Sequence, residues 1–434
     1  MKEVKIGLLG FGTVGTGVYE LLEKNREVIK ERIGLVPVIK RILVRDPKKI
    51  RSISVSPEIF TTSFEDILED PEISIVCELM GGITPAKEYV LKALQKGKEV
   101  VTANKAILAE YGDEIWGEAL KRQRFLGFEA SVGGGIPIIK TLREALIGNQ
   151  IRSIVGIVNG TTNYILTKML EEKTDFKEAL REAQKKGYAE ADPTLDINGM
   201  DAAHKIAILA SLAFGSFIKA SQVYVEGIEN IDLIDLNFAK NFGYVIKLLA
   251  FAIKHKNHIE VRVHPTLIPE NHVLASIRLN YNAFYVTGDF VGDVLLYGLG
   301  AGKEPTASAV VSDLITAIEF SFFKKKPFIK YPLTFDKKRY KIKPMEDVEF
   351  KYYFRFSAVD KPGVLSKISG VLGKYNISIS SVVQIGRQKK KQAVPIVMLT
   401  HEAKERNVLK ALQEIDSLEV VSAPTKKYRI MDLT

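Results

Sequence analysis

The chain carries a single cysteine, Cys77, among its 434 residues. One thiol excludes an internal disulfide framework and any cysteine-based metal cluster. Long apolar runs are missing as well. The most apolar stretch, residues 206–218, falls short of the roughly 18 residues a membrane span needs and is interrupted by Ser and Gly. The opening Met1-Lys2-Glu3-Val4 leads directly into a strand-like segment and lacks the layout of a signal peptide. Neither an internal repeat nor a low-complexity tract stands out, and charge runs are short. With 46% apolar and 26% charged residues, disorder is excluded as the dominant state. The expectation is a cytoplasmic protein of two to four domains, at about 150 residues per domain. Sixty-two Lys and Arg against 52 Asp and Glu leave a net charge of +10. That surplus fits nucleic acid, an anionic cofactor, or nothing specific.

What is present begins with alternation. Residues 4–10 read as a buried strand closed by glycine, and residues 14–22 have apolar positions at helical spacing. Further strands are expected at 36–44, 74–80, 99–102 and 124–129. Helices are expected from Pro85 to Lys96 and over 106–122. This order predicts a parallel, doubly wound α/β domain of the Rossmann type. Beyond Gly133-Gly134-Gly135 the pattern changes. Helices are expected at 137–147, 162–170 and 198–214, with strands at 151–158, 258–267 and 283–287, which predicts a second, α+β domain. A helix over 306–323 could return to the first domain. Residues 324–343, dense in Lys, Pro and aromatics, read as a linker. Beyond it, a strand, helix and strand over 352–385 are followed by a strand at 393–399, a helix at 403–414 and a strand at 418–421. The limits expected are 1–134 with 303–330, then 135–302, a linker over 331–349, and a tail module over 350–434.

Gly10-Phe11-Gly12-Thr13-Val14-Gly15 is a G-x-G-x-x-G turn between a strand and a helix, the context of a dinucleotide fingerprint. Glycine lets a pyrophosphate approach the backbone, and the helix start offers N–H groups and a positive dipole end. Alone, the pattern is also met in glycine turns with no ligand. The second strand ends Val44-Arg45-Asp46, offering both an Asp for the ribose hydroxyl of NAD and an Arg for the phosphate of NADP. Arg45 comes first, and Lys48, Lys49 and Arg51 follow, which favours NADP.

Lys105, in Thr102-Ala103-Asn104-Lys105, lies just past a strand's carboxyl end, where such sheets hold ligands. Spacing alone does not separate it from a surface lysine. Between Glu190 and Lys205 four carboxylates and a lysine fall within 16 residues. Asp201 and Lys205 are one helical turn apart and share a face, ahead of an almost wholly apolar helix. Low-dielectric packing there can lower a lysine's pKa and suit it to proton transfer. An ion pair capping a core helix is the equal alternative.

Over essentially its whole length the chain resembles homoserine dehydrogenases of the form that carries an ACT domain. The glycine fingerprint, the T-A-N-K segment and the run from Gly187 to Lys205 carry the likeness. That run meets G-Y-x-E-x-D-P-x-x-D-x-x-G-x-D-x-x-x-K in full. Asn159-Gly160-Thr161-Thr162-Asn163-Tyr164 fits a further stretch of the family pattern. The resemblance implies interconversion of L-homoserine and L-aspartate 4-semialdehyde with a nicotinamide cofactor, NADP with NAD possible. It makes Lys205 the acid/base and Lys105 a second essential lysine against cofactor and substrate. Glu190 would bind the substrate ammonium, with Asp196, Asp201, Tyr188, Gly160 and Thr161 about the substrate. Gly81 and Gly302 join the fingerprint residues and Arg45 at the cofactor. Glu129, with the carbonyls of Val132, Gly134 and Ile136, would hold a monovalent cation, sodium; a glycine hinge between domains is the other reading. Asp360-Lys361-Pro362-Gly363-Val364-Leu365 resembles the start of a βαββαβ ACT domain, which suggests threonine feedback or a module whose effector site is lost. The basic segment 385–391 argues against a simple ligand site. A homodimer through the substrate domains is implied. Two rival classes remain: a sensor without turnover, which would lack Lys205 or Glu190, and a nucleic-acid binder, whose basic aromatic stretches fall only in the linker. Neither nucleic acid nor membrane is expected as a partner.

Overall fold

The computed structural model describes residues 3–322, 340–384 and 393–431. Most of the linker-like stretch and the basic segment 385–391 lie outside them. Six parallel strands form the first sheet: β1 (Glu3–Leu9), β2 (Val36–Leu43), β3 (Phe60–Thr61), β4 (Ile73–Glu78), β5 (Glu99–Thr102) and β6 (Leu126–Gly127). Their order is β3-β2-β1-β4-β5-β6, the doubly wound arrangement that reverses between β1 and β4. These strands are short and apolar because helices cover both faces, and a sheet buried on both sides has no polar face to alternate with. The helix Lys303–Phe322 returns to this sheet, packing against the helix Thr13–Lys24 and the strands β4 to β6.

A strand was expected over 124–129, yet only Leu126 and Gly127 pair, and a 3₁₀ turn, Glu129–Ser131, follows. Side chains take the backbone groups a ladder would have used. The Glu99 carboxylate accepts from Phe125 N–H, and Asp313 accepts from Glu129 N–H at 2.7 Å. The helix expected at 137–147 is a single turn, Ile138–Lys140, running into a π turn, Thr141–Ala145. Leu146 N–H reaching Thr141 C=O at 2.8 Å marks the wider loop of that turn.

Among the described residues the second sheet has twelve strands. β7 (Ile151–Ile157), β8 (Tyr224–Val225), β9 (Tyr244–Lys254), β10 (His258–Pro269), β11 (Tyr281–Gly288) and β12 (Gly292–Leu299) come from the middle of the chain. β13 (Lys341–Ile342), β14 (Glu349–Val359), β15 (Ile379–Gln384), β16 (Ala393–Thr400), β17 (Ala403–Lys404) and β18 (Val421–Ile430) come from its end. The main path runs β12-β11-β7-β9-β10-β18-β14-β16-β15, so the tail module continues the middle sheet rather than standing apart from it. The tail keeps a βαββαβ order, with helices Val364–Lys374 and Glu405–Asp416 on one side. Residues 418–421, expected as its last strand, are mostly turn, and the strand runs on to Ile430. Its Lys and Ser content hides the strand signal.

Strand β10 is the seam. One edge pairs along its length with β9, while the other is covered in three short pieces, by β13, β8 and β18. Lys341 and Ile342, within the stretch read as linker, thus belong to the sheet. Buried charge fastens the tail. Arg429 bridges Glu405 at 2.6 Å and Glu226 at 2.8 Å. Asp235, fully buried, accepts from Arg355 Nε at 2.6 Å and from the hydroxyls of Tyr353 and Tyr428 at 2.9 and 3.2 Å.

Breaking one partner of such a pair leaves a buried charge unanswered, which costs about 3–5 kcal/mol. Arg355→Met is therefore expected to lower unfolding free energy by about that amount in urea titrations. A loss below about 1 kcal/mol would show that the pair is not effectively desolvated.

Candidate active site

The glycine turn is built as a cradle. Gly10 sits at φ +96°, and a Cβ there would lie 2.8 Å from the Leu79 carbonyl. A Cβ at Gly15 would overlap the Gly10 carbonyl, so both positions exclude larger residues. The helix Thr13–Lys24 starts at Gly12 with no side-chain cap and no acidic residue in its first turn. An uncapped, acid-free helix start, with Thr13 and Val14 in its first turn, suits a pyrophosphate. Phe11 lies edge-on to Phe60, ring centroids 5.6 Å apart, and the Arg51 guanidinium covers Phe60 at 4.1 Å. Arg45 is exposed beyond the end of β2. Asp46 accepts from Lys48 N–H at 2.9 Å, committing one carboxylate oxygen to its own loop.

At the carboxyl ends of β4 and β5, buried Glu78 organises the rim. It accepts from Met80 N–H at 2.8 Å, Gly81 N–H at 3.3 Å and the Thr102 hydroxyl at 2.6 Å. Asn104 donates to the Gly82 carbonyl at 2.7 Å and caps the helix Lys105–Arg122 through Ile107 N–H. Lys105 is thereby the first residue of that helix, aimed off the sheet edge.

It meets the other half of the molecule at Asp201. Lys205 donates to Asp201 Oδ2 at 2.7 Å and to the Val158 carbonyl at 2.8 Å. Lys105 Nζ stands 3.2 Å from Asp201 Oδ1. One buried carboxylate is shared by two lysines from two helices. Burial alone would raise the pKa of Asp201, but Lys205 and Lys105 outweigh it and hold the carboxyl well below the usual range. In return the Asp201 charge raises the pKa of Lys105, with Asp196 and Glu190 adding to it.

Asn159 ties the cluster together. Its side-chain carbonyl caps the helix Gly160–Glu172 through Thr162 N–H at 2.8 Å, and its amide donates to Asp196 at 2.7 Å and Asp201 at 2.9 Å. Gly160 is required where it stands, since a Cβ would lie 2.6 Å from the Asn280 carbonyl. The Thr161 hydroxyl donates to the Tyr188 carbonyl at 2.5 Å, and the Tyr188 ring leans on Tyr164 at 5.0 Å. Burial, then the Asp201 charge, pushes the Asp196 carboxyl up. Glu190 is exposed on the same loop.

Gly134 sits at φ +55°, and a Cβ there would lie 2.6 Å from the Gly300 backbone. Gly135 N–H bonds the Leu299 carbonyl at 3.2 Å, so the two late glycine segments touch, with Gly302 at φ +122° beyond them. Glu129 is buried and accepts from Ile139 and Lys140 N–H at 2.8 and 2.7 Å. Burial and nearby Asp313 push its pKa up to about 7. Val132 and Ile136 are also buried.

Lys105, Asp201, Lys205 and Asp196, all expected at the site, meet in one cluster with Thr161 beside it, and the contact of Lys105 with Asp201 is one that spacing left open. Sequence reasoning left Arg45 at the far end of the cradle, apart from that cluster. Asn159, Glu78 and Asn104 did not appear among the expected site residues. The helix-capping position of Asn159 and Asn104 was the available signal; Glu78, ending an apolar strand, gave none beyond its burial there.

A dinucleotide cradle beside a lysine-carboxylate cluster defines an oxidoreductase that uses a nicotinamide cofactor. Family models described as "Homoserine dehydrogenase, NAD binding domain", "Homoserine dehydrogenase" and "ACT domain" match residues 10–129, 137–315 and 352–420. The homoserine dehydrogenase of Synechocystis sp. is 45% identical, the alignment covering 99% of each chain. The crystal structure of a homoserine dehydrogenase from Thiobacillus denitrificans superposes with a TM-score of 0.92 at 44% identity, covering 100% of this chain and 99% of that one. A hyperthermophilic archaeal homoserine dehydrogenase in complex with NADPH is similar over 73% of this chain and 98% of its own, at 28% identity and a TM-score of 0.61. The chain belongs to the homoserine dehydrogenase family.

Because Asp201 raises the Lys105 pKa, Asp201→Asn is expected to lower it, and the alkaline limb of the kcat/KM profile should move to lower pH. An alkaline limb that stays in place would show that this charge does not hold the Lys105 proton.

Proposed function

We propose that the chain interconverts L-homoserine and L-aspartate 4-semialdehyde, with Lys205 as the acid/base group. The observation that carries this is the Lys205–Asp201 pair on one helix, met at Asp201 by Lys105 from another. A bound nicotinamide supplies or accepts the hydride. Lys205, held by Asp201 and the Val158 carbonyl, gives a proton to the aldehyde oxygen during reduction and recovers it during oxidation. Lys105 fixes the reacting end of the substrate and the cofactor edge. Glu190 takes the substrate ammonium, while Asp196, Tyr188, Gly160 and Thr161 shape the pocket around it.

NADP is the preferred dinucleotide. Arg45 is exposed at the ribose end with Arg51 close by, and the Asp46 carboxylate is drawn into its own loop. The archaeal relative bound to NADPH supports the same reading. Gly10, Phe11, Gly12, Thr13, Val14 and Gly15 would line the pyrophosphate, with Gly81 and Gly302 closing on it. The loop from Glu129 suits a monovalent cation. Glu129 lies buried beside Asp313, and each of its oxygens keeps a lone pair beyond its backbone bond. Carbonyls of Val132, Gly134 and Ile136 would complete a hard-oxygen set for sodium.

The domain limits that fit this function are 1–134 with 303–330 for the dinucleotide and 135–302 for the substrate and for pairing into a dimer. An ACT domain over 350–434 follows; of the stretch 331–349 expected as linker, Lys341–Ile342 is a strand of the second sheet. Threonine bound at the ACT domain has a short route to the site. Arg429 holds Glu226, and the next residue, Gly227, lies so close under Ile197 and Asn198 that a Cβ would collide with their backbone.

Lys205→Ala is expected to cut turnover about 100-fold or more in a spectrophotometric homoserine oxidation assay, with cofactor affinity little changed. Near-normal turnover would remove Lys205 from the acid/base role. Arg45→Ala should weaken NADPH binding far more than NADH binding. Equal losses would mean that Arg45 does not read the ribose phosphate.

A further inference from the structure

The tip of the β9–β10 hairpin carries three donors that the dehydrogenase does not use. His255 and His258 flank the turn, which His255 N–H closes on the His258 carbonyl at 2.9 Å, and their rings stack with centroids 4.4 Å apart. Glu260 is two residues beyond His258 on β10, so both project to the same face. One nitrogen of each ring and one Glu260 oxygen lie within 4.8 Å of one another. The Nε2 atoms of both histidines are buried and have no hydrogen-bond partner among the described residues. His255 Nε2 is 3.0 Å from Glu260 Oε1, so that close approach is made without hydrogen-bond geometry.

We propose that His255, His258 and Glu260 bind a divalent transition-metal ion, zinc. Two imidazoles and one carboxylate are a zinc donor set, with water in the fourth position. Ligand atoms bound at about 2.0–2.1 Å around a tetrahedral ion sit close together, as these three already do. The second Glu260 oxygen is held by Arg262, the outer-sphere support that orients a ligating carboxylate. Lys343 stands in the way: its Nζ is 3.4 Å from Glu260 Oε1. That ammonium is partly exposed and can swing into solvent, so it competes with the ion without excluding it. The cluster shares no residue with the Lys105–Asp201–Lys205 group. Its place explains what the ion would do. Lys341–Ile342 pair with His258 and Ile259 here, where the chain re-enters the sheet on its way to the ACT domain. Zinc would lock the hairpin tip at that re-entry point.

The test uses the full chain, stripped with chelator and titrated with zinc by calorimetry, then with cobalt to read the absorption of tetrahedral coordination. One ion per chain is expected, with thermal unfolding raised by added zinc. His255→Ala/His258→Ala should lose at least about 100-fold in affinity and the cobalt signal, while dehydrogenase turnover stays unchanged. Lys343→Met should bind more tightly than wild type. Equal zinc binding by wild type and the double histidine variant overturns the proposal. Should that variant fail to fold, Lys343→Met decides: no gain in affinity and no tetrahedral cobalt spectrum overturn it equally.

Discussion

The arrangement of the molecule depends on one buried carboxylate with two cationic partners. Asp201 would be costly in its apolar surroundings if it stood alone. Lys205, from its own helix, and Lys105, from the start of a helix on the nucleotide sheet, answer it together. The same carboxylate therefore sets the spacing of the two lysines and draws the two halves of the cleft to a fixed separation. Asn159 and Glu78 are the supports behind that contact, each spending its hydrogen bonds on orienting a neighbour.

Much of this could be read from the sequence, for reasons that are local. The nucleotide sheet was legible because strands alternate with helical spacing, the first strand is closed by Gly10, and the fingerprint falls between that strand and a helix. The i,i+4 spacing of Asp201 and Lys205 put them on one face. What escaped was non-local. Glu129–Ser131 departs from an ordinary strand where Asp313, 184 residues from Glu129, claims a backbone N–H, and just ahead of the π turn Thr141–Ala145 the Glu129 carboxylate claims those of Ile139 and Lys140. No periodicity records such a bond. The long strand Tyr244–Lys254, buried along most of its middle, lacks the alternation that would have marked it. Nor does a sequence say that Lys105 would meet Asp201 rather than solvent.

The tail was legible as a βαββαβ unit but not as an extension of another sheet. Its core is its own, built around Tyr352, Phe354, Phe356, Ile368 and Met398. Its attachment combines buried ion pairs, through Arg429, Glu405, Glu226, Asp235 and Arg355, with apolar packing of Tyr353, Leu399, Tyr428 and Ile430 into the middle core. Ionic seams of this kind fix register more than they add net stability. A module joined in that way moves with its neighbour or not at all, because sliding by one residue would strand every charge.

The pairing of Thr266 and Leu267 with Arg429 and Ile430 has a consequence for biogenesis. One edge of β10 is completed only by Arg429 and Ile430, which are made long after it. At synthesis rates of about 5–20 residues per second, that edge stays open for about 8–30 s after β10 is translated. An uncovered edge strand is a template for pairing with other chains. The short pieces from β8 and β13 cover part of the same edge, and β8 is already translated when β10 emerges. The nascent chain thus already holds a permanent cover for the middle of the edge it cannot yet finish.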